Sequence, residues 1–69
     1  LNNFEKFVSL PAVTRRRILN TARKMHRATS GMLDYTVIAD TMTETAYNLR
    51  RARQQEREET ARYRWQERG

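Results

Sequence analysis

Residues 34–52 read DYTVIADTMTETAYNLRRA, and this stretch decides the fold. Its apolar positions, Tyr35, Ile38, Ala39, Met42, Ala46, Leu49 and Ala52, step by three and four, the spacing that keeps side chains on one face of an α-helix; Thr45 sits among the small ones. Asp34 stands immediately before the first of them, where a carboxylate accepts the unpaired N–H groups of a first helical turn. Leu33 and Ile38 occupy the positions of a hydrophobic staple around it. Neither Gly nor Pro interrupts residues 32–68, so the pattern predicts one helix over 35–66, about 45 Å long at 1.5 Å per residue.

Upstream, Gly31 is the residue best suited to the left-handed position that ends a helix. Ile18, Leu19, Ala22, Met25 and His26 share one helical face before it. Ser9 before Leu10-Pro11 is a start signal, with Val8 and Val13 in staple positions, which predicts a first long helix over 10–30 of about 30 Å. Asn2 or Asn3 would cap a short turn, residues 4–8, carrying Phe4, Phe7 and Val8. Short connections join antiparallel neighbours. The expected fold is one all-α domain over 1–69: an antiparallel helical hairpin with a short N-terminal turn and a second helix that overhangs the first with the polar segment 53–69.

The core is thin for that fold. Twelve of the 69 residues are Leu, Ile, Val or Phe, below the roughly one-fifth at which high charge begins to favour disorder. A hairpin buries only one side of each helix, and chains below about 70–80 residues need staples, metal or association. There is no cysteine, hence no disulfide or thiolate cage. Dimerisation into a four-helix bundle is the expected remedy, through the stripe Tyr35, Ile38, Met42, Ala46 and Leu49.

Charge is unevenly placed. The net charge is +6, and twelve of the fourteen basic residues are Arg. Residues 1–32 carry seven basic groups and one acid, residues 33–49 carry only Asp34, Asp40 and Glu44, and residues 50–69 carry seven basic groups and four acids. The basic first helix is thus expected to lie against an acidic stretch of the second, with Asp40 and Glu44 as partners for arginines across the hairpin. Arg16, Asn20, Arg23, Lys24 and Arg27 fall opposite the apolar face of the first helix. Such a stripe suits about three to five phosphates, a salt-dependent contact independent of base sequence. Arginine forks onto phosphate where lysine offers a point charge.

From Asn48-Leu49-Arg50-Arg51-Ala52-Arg53 through Arg62-Tyr63-Arg64-Trp65 the chain resembles the arginine-rich RNA-binding helices of the lambdoid antitermination and lentiviral Rev type. The resemblance covers about a quarter of the chain and implies Arg contacts to an RNA hairpin, with Trp65 as a stacking plane. Glu56, Glu58 and Glu59 depart from it, because those peptides are nearly free of acids. Tyr35-Thr36-Val37-Ile38-Ala39 with Arg51-Ala52-Arg53 looks like the two ends of a sigma-type helix-turn-helix. The spacing is about four residues short and no Gly makes the turn, so a continuous helix is expected.

No Gly-rich phosphate loop, Ser-His-Asp set or His-x-x-x-His pair occurs, and His26 is the one histidine, read as a packing or interface residue. The sequence therefore predicts no catalytic residue, metal, cofactor or small-molecule substrate. It predicts a small regulatory or accessory nucleic-acid-binding protein, DNA or RNA, that acts as a dimer through Arg16, Arg23, Arg27, Arg50, Arg51, Arg53 and Arg57. The competing expectation is a structural or adaptor subunit whose arginines meet an acidic protein partner. No run approaches a membrane span, and an intracellular location, cytoplasmic or nucleoid-associated, is expected. The Arg-rich start is also the composition of an organellar transit segment, and Leu1 in place of a methionine suggests a trimmed or longer chain.

Overall fold

The computed structural model describes residues 1–68, with side chains through Gln66. It is all-helical among the described residues: α1 (Asn3–Ser9), α2 (Ala12–Ala28) and α3 (Tyr35–Arg68). The last position of the expected overhang, Gly69, lies outside them.

Asn2 starts α1, its side-chain oxygen accepting the Glu5 backbone N–H at 2.8 Å. The start of α2 falls two residues later than the Ser9 signal suggests. Leu10 precedes Pro11 and is extended (φ −77°, ψ 152°), as the clash with a proline ring requires. Ser9 is therefore the last residue of α1, and its hydroxyl turns back to donate to the Lys6 carbonyl at 2.7 Å. Pro11 takes the cap position of α2 with no side-chain hydrogen bond; its ring presets the backbone and leaves no N–H to satisfy. The expected Val8–Val13 staple does not bury either residue, since both are exposed. Leu10 turns inward instead, at 3% exposure.

At the other end of α2, Gly31 N–H donates to the His26 carbonyl at 2.8 Å and Ser30 N–H to the Arg27 carbonyl at 3.0 Å. This is the paired pattern of a Schellman ending. It puts Ser30 (φ 53°), not Gly31, in the first left-handed position; Gly31 follows at φ 84°. The turn is tied by side chains. The Thr29 hydroxyl donates to the Met25 carbonyl at 2.9 Å and accepts the Leu33 N–H at 3.1 Å. His26 Nδ1 lies 2.7 Å from the Leu33 carbonyl, and since a carbonyl only accepts, Nδ1 carries the proton.

Asp34 caps α3, one carboxylate oxygen accepting from Thr36 N–H at 2.8 Å and Val37 N–H at 3.2 Å. The helix then runs without a break through the segment that looked like a helix-turn-helix. Both α1 and α2 pack on α3, so the short N-terminal element is a third helix of the fold and not only a leading turn. Among the described residues the buried set is Leu10, Ile18, Ala22 and Thr43. Thr43, at 2% exposure, holds the central place on α3. Thr45 is exposed and its hydroxyl bonds back to the Thr41 carbonyl at 2.9 Å. From Asn48 to Gln66 every residue is exposed. This bare length accounts for molecular dimensions of 60 × 21 × 18 Å.

Candidate nucleic-acid interface

The seven arginines singled out by the sequence are all exposed. Arg16, Arg23 and Arg27 lie on α2 opposite Ile18 and Ala22, the residues that face α3. Arg16 shares a shallow groove with Arg17, Asn20, Thr21 and Lys24, so Arg17 joins the stripe; its spacing of three from Asn20 and seven from Lys24 is the signal that would have selected it. Arg15 is half-buried and borders Phe7 and Leu19, where its alkyl stem can cover apolar surface while the guanidinium reaches water.

Arg50, Arg51, Arg53 and Arg57 belong to the bare part of α3, and the structure divides them. The Arg51 guanidinium lies 5.9 Å from the centre of the Tyr47 ring. The Lys6 ammonium of α1 lies 5.5 Å from the same ring. Both are within range of a cation–π attraction, about 0.5–1 kcal/mol where solvent is near. Tyr47 thus joins α1 to α3 at the point where cover of α3 ends. Arg53 and Arg57 line a different surface, a shallow groove with Glu56, Thr60, Ala61 and Arg64. Arg64 was absent from the sequence selection; its spacing of seven from Arg57 is the signal that would have found it.

Of the stripe expected to form an interface, Tyr35, Ile38, Met42 and Ala46 are already half-buried within the chain, and Leu49 is 51% exposed. Asp40 sits in a groove with Phe4, Phe7, Leu19, Ala39 and Thr43, a lining without arginine, and Glu44 is exposed. The acidic middle therefore does not take up the arginines of α2 in the way the segment charges suggested. His26 acts as a latch on the turn, through its bond to the Leu33 carbonyl. Among the described residues no three His, Asp or Glu side chains gather to hold a metal ion, and no helix is long and apolar enough to cross a membrane.

No protein-family model, curated protein or solved structure matches the chain.

Proposed function

We propose that the protein is a small helical regulatory or accessory module, not an enzyme, that binds nucleic acid by charge and shape and works inside the cell, in the cytoplasm or on the nucleoid. The observation that carries this reading is the placement of arginine. Arg16, Arg23 and Arg27 line the outward face of α2, and Arg50, Arg53 and Arg57 stand on a part of α3 that is exposed from Asn48 to Gln66. Guanidinium groups held at fixed spacing on rigid helices displace the counter-ions of a phosphate backbone, which releases them to solvent and drives association. In this reading α2 and α3 form an antiparallel hairpin, and a second copy completes the bundle across the partly exposed edge of α3 formed by Tyr35, Ile38, Met42, Ala46 and Leu49.

The test is a titration of labelled generic DNA and RNA with the full chain at two salt concentrations. About four phosphate contacts correspond to roughly a 100-fold loss of affinity between about 50 and 200 mM salt. Absence of binding at low salt, or binding that salt leaves unchanged, rules the reading out. An adaptor subunit for an acidic protein is the second reading, favoured by the exposed aromatics Tyr63 and Trp65, the latter 80% exposed, since Tyr and Trp are enriched where proteins meet. An adaptor of this kind folds only with its partner, whereas the first reading expects helical structure in the isolated chain.

A further inference from the structure

The packed seam of α3 continues beyond the helices that cover it. Stepping by three and four from Ala39, Thr43 and Ala46 leads to Arg50, Arg53 and Arg57, and seven further to Arg64. These steps keep to one face of a helix with 3.6 residues per turn. The seam is apolar or small where α1 and α2 lie on it, and becomes a line of arginines where they end. The four are exposed, and Arg53, Arg57 and Arg64 border one groove with Thr60 and Ala61 between them and the single acid Glu56 at its edge. The Thr60 hydroxyl is turned back to the Glu56 carbonyl at 2.9 Å, which leaves the guanidinium groups as the free donors of that surface. Arg50 to Arg64 spans about 21 Å at 1.5 Å per residue.

The acids of the same segment are distributed differently. Glu58 and Glu59 fall away from the arginine line, and Glu58 stands four residues before Arg62, the favourable orientation for an ion pair along a helix. Arg51 is on that flank too, directed to the Tyr47 ring. The bare helix thus has a cationic face and a mixed, partly acidic back.

We infer that Arg50, Arg53, Arg57 and Arg64 form a one-sided ridge that lies along a single phosphate backbone of duplex nucleic acid from outside, without entering a groove. The inference rests on the nucleic-acid reading above. A helix is about 10–12 Å across and the major groove of B-DNA about 12 Å wide, so an inserted helix meets phosphate walls on both flanks. Insertion of α3 sets Glu56 against one wall and Glu58 against the other, where like charges repel; contact from one side leaves Glu58 and Glu59 in solvent and Glu56 at the edge of the ridge. Phosphate contacts position a protein and carry no base information, so the ridge binds without regard to sequence.

The experiment uses the full chain and two labelled duplexes of unrelated sequence, with Arg53→Ala, Arg57→Ala and Arg64→Ala on the ridge and Arg51→Ala and Arg62→Ala off it. Circular dichroism checks that each variant keeps its helix. Each ridge substitution is expected to weaken binding about fivefold near 0.15 M salt and to lower the salt slope by about 0.9, equally on both duplexes. The two off-ridge substitutions are expected to leave the slope unchanged. Equal losses on and off the ridge, or a tenfold preference between the duplexes, overturn the inference while leaving the wider reading in place. Failure of the unsubstituted chain to bind either duplex overturns the wider reading itself. Tighter binding to poly-glutamate than to duplex, with the same ranking of variants, assigns the ridge to an acidic protein and also overturns it.

Discussion

Asp34 and Ser9 show how two similar cap signals come to different ends. The Asp34 carboxylate meets two N–H groups of the first turn of α3, and nothing nearby competes for that role. Ser9 faces a proline two residues on, and the extended backbone this forces on Leu10 separates Ser9 from the helix it was expected to start. Asp34→Ala is therefore expected to cost about 1 kcal/mol, roughly 4–8 °C in melting temperature for a chain of this size. Ser9→Ala is expected to stay within about 0.5 kcal/mol, as for an exposed site. Thermal unfolding followed at 222 nm separates the two; equal losses would restore Ser9 as a cap. The Asp34 signal was legible because all its partners lie within three residues. Ser30 in place of Gly31 at the left-handed position was not, because it depends on where the last hydrogen bond of α2 forms, and the Thr29 and His26 ties to Leu33 take part in setting that point.

Among the helices, α1 and α3 depart most from simple expectation. Seven residues make a poor helix alone, because nucleation is costly and few bonds follow it; α1 is held by packing on α3 and by Lys6 over the Tyr47 ring. For α3 the reverse holds. From Asn48 to Gln66 its residues are exposed, and it persists by propagation from the capped, packed first half, with Glu58 spaced four residues before Arg62 in the favourable order. Ending the chain after Arg51 keeps the Tyr47 contacts, so the melting temperature is expected to move by no more than about 2 °C while helical ellipticity falls by the share of the removed residues. A large drop in melting temperature would show that the overhang is covered in solution, by a second copy or a partner. The length of α3 was readable from the lack of Gly and Pro. Its buried face was less so, because alanines and threonines around the helix give little hydrophobic contrast, and Thr43 rather than Thr45 was placed inward by the positions of α1 and α2.

For the molecule as a whole, the buried set of Leu10, Ile18, Ala22 and Thr43 is small for any independently stable domain. If a second copy covers the α3 edge, the melting temperature rises with protein concentration, and light scattering on a sizing column gives twice the chain mass. Leu49→Glu, at an exposed edge position, is then expected to abolish that concentration dependence. A stable species of single-chain mass over the whole concentration range refutes the dimer. The sequence by itself determined that the chain is helical, where α3 begins, and that the last third of α3 is polar, since caps, prolines and hydrogen bonds to the fourth residue act within one turn. Only the tertiary structure decided that α1 docks on α3 and that Leu10 turns inward. It also separated Arg51, held at Tyr47, from an arginine line that extends the packed seam to Arg64. These depend on which helix faces meet, and that is set by the shapes of side chains far apart in sequence.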